Sequence, residues 1–179
     1  MAEIDIKKQF EIKELELNAL LEITQAINSN LPEESLYKIY NFTLRSNLNI
    51  TKMALFVLDD QWECKSSFGT DHHFQKTNLL PELKTIQDIT HLKEFEECEF
   101  TEFDIVIPVT HKSITLALVF VGGIEKNDPR YESEHGRRFI QALSNIIIVA
   151  IENKKLARKQ LEQEAFRKEL EIASDVQQF

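Results

Sequence analysis

The last quarter of the chain, Ser133 to Phe179, contains no proline and, after Gly136, no glycine. Because these two residues are the strongest helix breakers, the sequence predicts a single helix of roughly 45 residues. Its final stretch, ELEIASDVQQF from Glu169 onward, lacks any glycine, proline or cap that would end a helix. We therefore expect the helix to lead onward to a further domain.

A second long helix is predicted from Ile4 to Asn28, and its apolar residues fall on two opposite faces. One stripe consists of Ile6, Phe10, Leu17, Leu20, Leu21 and Ile27. The other consists of Ile4, Ile12, Leu15, Ala19, Ile23 and Ala26. A helix with two apolar faces has to be covered twice. We expect one stripe to pack on its own domain and the other to pack on an identical chain.

Composition limits the classes of function. Of the 179 residues, 42% are hydrophobic, which is enough for the core of one globular domain. The formal net charge of -9 argues against nucleic acid or an anionic membrane as a partner, since both require clustered Lys and Arg. The N-terminus lacks the pattern of a signal peptide, and the apolar run Asn145 to Ile151 is too short to span a membrane. We therefore expect a cytoplasmic protein.

Between the long helices, the sequence predicts a shorter helix that begins around Pro32 and two β-hairpins. The strands of these hairpins are Met53 to Leu58, Trp62 to Phe68, Asp104 to Thr110 and Ile114 to Val121. The stretch from Thr70 to Thr101 between the hairpins is polar and irregular, with a short helix predicted after Pro81. Loops of this length are uncommon unless they are functional. The order of elements predicts an α+β fold.

Two stretches of the sequence resemble a known family. FVGGIEKNDPRYESEHGRRFIQALSNIIIVAIENKKL, Phe120 to Leu156, resembles the C-terminal half of GAF domains, and Glu16 to Tyr40 resembles their first two helices. The resemblance implies a GAF-like antiparallel sheet with helices on its face, flanked by long N- and C-terminal helices. We divide the chain into a helical extension (residues 1-14), a GAF-like sensor domain (residues 15-156) and a coiled-coil linker helix (residues 157-179).

The resemblance also implies where a small molecule would bind. GAF domains hold their ligands between one face of the sheet and the segments that cross it, here Thr70 to Phe103. The candidate contact residues in this segment are His72, His73, Phe74, His91, Phe95, Cys98 and Phe100. The N-K-F-D-E signature of cyclic-nucleotide binders is absent, as is the cysteine beside a histidine of tetrapyrrole binders. We expect either an unidentified small ligand or an empty pocket that serves dimerisation and coupling.

The sequence contains no catalytic or metal-binding motif. His72 and His73 are adjacent and would point to opposite sides of a strand, which makes them a poor chelating pair. The acidic stretch Glu94 to Asp104 lacks the glycine of a calcium-binding loop. The motifs G-x-S-x-G, P-loop and H-E-x-x-H are absent. We expect no metal, no cofactor and no enzyme activity in this chain.

The final residues carry a second resemblance. Glu162 to Phe179 is similar to the linker that enters the PPM-type serine phosphatase domain of RsbU-like and SpoIIE-like regulators. The matching residues are Leu170, Glu171, Ala173, Val176, Gln177 and Gln178. This resemblance implies a bacterial parent protein with a phosphatase domain in cis beyond residue 179, where Mg or Mn would bind.

Signals are expected to leave the domain through paired helices. Leu156, Leu161, Ala165, Ile172, Val176 and Phe179 form an apolar seam suited to a parallel coiled coil. The residues expected to pair or couple two copies in a homodimer are Phe10, Leu17, Leu21, Ile147, Ile151, Leu156, Ile172 and Val176. Two alternatives stay open. One is a histidine kinase or nucleotide cyclase output, and the other is a redox enzyme, similar to methionine sulfoxide reductase, that uses Cys64 or Cys98.

Overall fold

A computed structural model describes residues 2-71, 74, 79, 81-95, 100-123 and 134-178, with side chains from residue 6 onward. The helices are α1 (Ala2–Asn28), α2 (Glu33–Ser46) and α3 (Glu134–Gln177). The strands are β1 (Lys52–Leu58), β2 (Trp62–Phe68), β3 (Thr90–His91), β4 (Ile105–His111) and β5 (Ile114–Gly122). The predicted α+β class and both predicted hairpins are confirmed, whereas the helix expected after Pro81 is only a single 3-10 turn, Leu83–Thr85.

The strands form one antiparallel sheet in the order β2-β1-β5-β4-β3. Side chains alternate between its two faces, as the period of two in a strand requires. On β1, Met53, Leu55 and Val57 face one core, while Ala54 and Phe56 face a second core on the opposite side. The central strands are therefore buried on both faces, which explains why they appear in the sequence as unbroken apolar runs.

The three helices of the described residues cover the same face of the sheet. Their buried apolar residues in this core are Ala19, Ile23 and Ala26 of α1, Leu36, Tyr37, Tyr40 and Leu44 of α2, and Ile140, Leu143, Ile147, Ile148 and Ile151 of α3. A buried hydrogen bond of 2.6 Å joins the Tyr40 hydroxyl to Oγ of Ser144, which itself donates to the Ile140 carbonyl. Burial raises the pKa of Tyr40, so its hydroxyl remains a donor. This bond ties α2 to α3.

Helices α1 and α3 run parallel to each other. The Glu16 carboxylate, midway along α1, lies 3.6 Å from Nε2 of His135 in the first turn of α3. Near the end of α1, Nζ of Lys154 donates to the carbonyl of Asn30 at 3.1 Å. The first turns of α1 and the last turns of α3 therefore project from opposite ends of the helical layer. Helix α3 is continuous over 44 residues, as the absence of helix breakers predicts.

Candidate functional site

The face of the sheet opposite the helices is covered by a cluster of phenylalanine rings, which we call the aromatic cluster. It consists of Phe56, Phe74, Phe100, Phe103 and Phe120. Each of these side chains is at most 5% exposed. Phe56 and Phe120 come from the central strands, and the other three come from the segment that crosses the sheet. Strand alternation and the crossing segment together build this second core.

The rings of the aromatic cluster are packed in favourable geometries. Phe100 stacks on Phe120 with 4.3 Å between ring centroids and on Phe74 with 5.8 Å. Phe56 meets the ring of Phe100 edge-on, at 5.7 Å and 90°. Such aromatic pairs contribute about 0.5–1.5 kcal/mol each beyond the area they bury. The aromatic cluster is thus a tightly packed unit, and a ligand at this place would have to displace a ring or stack on one.

The residues that the sequence predicts as ligand contacts are divided by the structure. Phe74 and Phe100 belong to the aromatic cluster, and Phe95 is half-buried against it. His91 is exposed on β3, where its Nε2 lies 3.3 Å from Nη1 of Arg137. The remaining three candidates, His72, His73 and Cys98, lie outside the described residues. The described residues of the predicted set that reach this face of the sheet are therefore all apolar. They do not bring polar side chains together as a ligand-binding site.

Sequence reasoning missed three members of the aromatic cluster. Phe56 and Phe120 are hidden within the apolar runs MALFVL and ITLALVFV, which do not reveal which residues face which side of the sheet. Phe103 ends the crossing segment and is not among the predicted ligand contacts. Counting alternate positions from Met53, which packs under the helices, would have placed Phe56 on the opposite face.

Clefts lined mostly by polar side chains lie on the surface of the part of the chain that the structure describes. A cleft of about 430 Å³ lies between β3 and the start of α3, where His91 and Arg137 meet and Arg138 pairs with Glu134 at 2.6 Å. A larger cleft of about 920 Å³ lies between α2, β2 and α3, and its lining includes Lys65. Among the described residues, no group of three or more His, Cys, Asp or Glu side chains is arranged to hold a metal ion.

Cys64, one of the two cysteines considered for a redox reaction, lies on β2. Its thiol donates to the Ser66 carbonyl at 3.6 Å, and burial raises the pKa of the thiol to about 11. The nucleophile in thiol chemistry is the thiolate, which is scarce at neutral pH when the pKa is this high. Cys64 is therefore a poor nucleophile in the folded chain.

We expect Cys64 to react slowly with an aromatic disulfide reagent at pH 7.5. In a Cys98→Ser variant, the reaction should be about 100-fold slower in the folded chain than after unfolding in urea, because burial suppresses the thiolate. Absorbance of the released thiol measures both rates. Equal rates in the two states would show that Cys64 is an accessible nucleophile.

The residues that are expected to pair two copies fall into two groups. Phe10, Leu17 and Leu21 on α1, and Leu156, Ile172 and Val176 on α3, are exposed, with values from 49% for Leu156 to 70% for Val176. Ile147 and Ile151 are 0% and 2% exposed because they face the sheet and pack in the core between it and the helices. The first group offers a surface to a partner, whereas the second connects α3 to the sheet of its own domain.

No protein-family model matches the chain, and no curated protein matches it. Solved structures do match. The GAF domain of a protein described as a sensor histidine kinase from Pseudomonas syringae pv. tomato superposes with a TM-score of 0.64 and 13% identity, covering 91% of this chain and 99% of that one. The GAF domain of an Acinetobacter phosphoenolpyruvate-protein phosphotransferase gives a TM-score of 0.59 and 15% identity, covering 78% of this chain and 94% of that one.

A third structure, the A. Aeolicus nlh2 GAF domain in an inactive state, gives a TM-score of 0.61 and 13% identity, covering 80% of this chain and 99% of that one. At these identities the likeness concerns the fold. The chain has the α+β fold of GAF domains, with a five-stranded antiparallel sheet and a long C-terminal helix. Within the described ranges, no helix is both long enough and apolar enough to cross a membrane.

Proposed function

We propose that this chain is a cytoplasmic sensor and dimerisation domain of bacterial signal transduction. In this role, two copies pair through α1 and α3, and the projecting part of α3 carries the state of the domain to an output domain. The output we favour is a PPM-type serine/threonine phosphatase, with Mg or Mn bound in that domain. The chain itself acts as a regulator and not as an enzyme.

The observation that carries this proposal is the apolar surface left exposed on α1. Ala19, Ile23 and Ala26 of the second stripe are buried in the domain, while Ile6, Phe10, Leu17 and Leu21 of the first stripe remain at least half exposed. Burying a leucine or phenylalanine side chain contributes about 1.5–3 kcal/mol. Covering this stripe with the same stripe of a second copy would bury eight large side chains in a symmetric interface.

The direction of the helices fits a relay. Helices α1 and α3 are parallel and project from opposite ends of the domain. In a pair of copies aligned side by side, the first turns of both α1 helices would lie at one end and the last turns of both α3 helices at the other. The exit is α3 beyond Ile151, its last buried residue. A coiled coil formed there would transmit a rotation or a change of register.

The choice of a phosphatase rests on the similarity of residues 162 to 179 to the linker of RsbU-like and SpoIIE-like phosphatases. A histidine kinase is the second candidate, because the solved GAF domain from Pseudomonas syringae belongs to a protein described as a sensor histidine kinase. The gene sequence downstream of residue 179 distinguishes the two. A PPM-type domain with its metal-binding aspartates supports our choice, and a kinase domain contradicts it.

Sedimentation equilibrium tests the pairing. We expect the chain at micromolar concentration to sediment with the mass of two 20.9 kDa chains. A Leu17→Glu, Leu21→Glu double variant should weaken the association at least about 100-fold, because it places four carboxylates in the interface of the pair.

The matched control is Phe42→Glu on α2, which changes an equally exposed apolar residue that lies outside the stripe on α1. This variant should remain a dimer. Circular dichroism confirms that each variant is folded. A monomeric wild-type chain, or a folded double variant that remains dimeric, contradicts the proposed pairing.

A further inference from the structure

A group of charged residues fastens α3 to the domain at the point where the helix leaves it. We call this group the exit latch, and it consists of Glu33, Asp59, Lys65 and Lys155. Nζ of Lys155 lies 2.7 Å from Oδ1 of Asp59 and 3.2 Å from Oε1 of Glu33. The side chain of Lys155 is only 14% exposed, and it contributes the last ion pair between α3 and the rest of the described chain.

The exit latch joins α2, the β1–β2 hairpin and α3. Glu33 is the first residue of α2, Asp59 follows β1 in the turn to β2, and Lys155 belongs to α3. The second carboxylate oxygen of Asp59, Oδ2, lies 2.8 Å from Nζ of Lys65 on β2. Both oxygens of Asp59 are therefore held by lysines, one from the sheet and one from α3.

The sheet side of the exit latch is connected to the aromatic cluster. Leu55 of β1 pairs with Ser66 and Phe56 pairs with Cys64, so that Lys65 is left as the extra residue of a β-bulge. Bulges change the direction in which a side chain points. The bulge lies beside Phe56, whose ring is in contact with three other rings of the aromatic cluster. A shift of β1 at Phe56 would thus change the position of both Lys65 and Asp59.

The pair of Asp59 and Lys155 in the exit latch remains charged near neutral pH. Partial burial acts to raise the pKa of Asp59, but hydrogen bonds from Lys155 and Lys65 outweigh it and lower this pKa. Partial burial acts to lower the pKa of Lys155, but Asp59 and Glu33 outweigh it and raise this pKa. The contribution of the Asp59–Lys155 pair to stability is therefore lost as the pH falls through the lowered pKa of Asp59 or rises through the raised pKa of Lys155.

We propose that the exit latch couples the packing of the aromatic cluster to the alignment of α3. A change at Phe56 moves the bulge and Asp59, and Lys155 transfers this movement to α3. From Lys155 to Gln177 the helix projects about 33 Å, so a tilt of about 5° moves its far end by about 3 Å. This inference rests on the proposed role of α3 as the signalling helix, for which it supplies the connection to the sensor domain.

Backbone amide hydrogen exchange in the dimeric chain tests the coupling. We expect Lys155→Gln to accelerate exchange about tenfold in residues 153-158 and in the turn at Asp59, because these segments lose their mutual anchor. The control is Lys159→Gln, which removes an exposed lysine one turn further along α3. It should leave both segments unchanged. Exchange in the central strands β1 and β5 reports whether each variant is still folded.

A double-mutant cycle provides the decisive comparison. Phe56→Leu should accelerate exchange of residues 153-158 in the wild-type background and should have no further effect in the Lys155→Gln background. Equal acceleration in both backgrounds, or none in the wild type, overturns the exit latch as the coupling element. If the chain is a dimer but the cycle gives either of these results, the exit latch fails and the proposed pairing stands. If the wild-type chain is a monomer, the proposed pairing fails whatever the exchange data show.

Discussion

Replacing Phe56 by alanine is expected to lower the free energy of unfolding by about 4 kcal/mol, as is typical of a fully buried phenylalanine. Phe56 is completely buried and makes edge-on contacts with Phe74, Phe100 and Phe120, each at 5.6 to 5.7 Å. Its removal leaves a cavity in a part of the fold where rigid rings and a central strand cannot collapse around it. Urea unfolding followed by circular dichroism, at one fixed protein concentration, measures the loss.

The control for this prediction is Phe42→Ala on α2. The side chain of Phe42 is 58% exposed, so the same chemical change should alter the unfolding free energy by no more than about 0.5 kcal/mol. A loss of less than 1 kcal/mol for Phe56→Ala would contradict the description of the aromatic cluster as a packed second core.

Gly69→Ala is expected to cost about 3 kcal/mol, because it combines backbone strain with a steric clash. Gly69 follows β2 and has a φ of +68°, a left-handed conformation that favours glycine. A Cβ atom at this position would lie 1.9 Å from the carbonyl oxygen of Thr51, immediately before β1. Because the clashing atom belongs to the backbone, no change of rotamer relieves the contact. The midpoint of thermal unfolding should fall accordingly.

Ser67→Ala serves as the control for Gly69→Ala. Ser67 is an exposed residue of β2 in regular pairing with Ala54, and alanine fits its extended backbone without strain. This variant should unfold at nearly the wild-type temperature. A Gly69→Ala chain with wild-type stability would show that the turn after β2 is not fixed in the conformation described here.

The helices and hairpins could be predicted because their signals are local. The absence of breakers after Gly136 predicts α3, and the two stripes of α1 predict that one of its sides is buried in the domain, as the burial of Ala19 and Ile23 shows. Polar residues between apolar runs predict both hairpins. These features depend on residues that are close together in the sequence, so the sequence alone is sufficient to predict them.

The candidate site was predicted only in part, because its geometry depends on distant residues. Asp59 and Lys155 are 96 positions apart, and His91 and Arg137 are 46 positions apart. The charges Lys154 and Lys155 indicate only a solvated helix when they are considered alone. The bulge that places Lys65 beside Asp59 has no sequence signature of its own. Such contacts follow from strand order and helix direction, which local patterns do not specify.

In the proposed function, two copies pair in parallel and α3 carries the signal out of the pair. Disulfide cross-linking tests it most directly, in a Cys64→Ser, Cys98→Ser background with one new cysteine at position 172 or 174. Ile172 lies on the apolar seam, and Ser174 lies on the opposite side of α3, two residues or about 200° further around the helix. Residues at equivalent seam positions of a parallel coil are close enough for a disulfide.

On mild oxidation, we expect Ile172→Cys to form linked dimers at least about tenfold faster than Ser174→Cys, because only the seam positions face each other. Gel electrophoresis without reductant measures both rates. The parallel pairing of α3 is contradicted if the two positions cross-link equally fast, or if position 172 does not cross-link in a chain that sediments as a dimer.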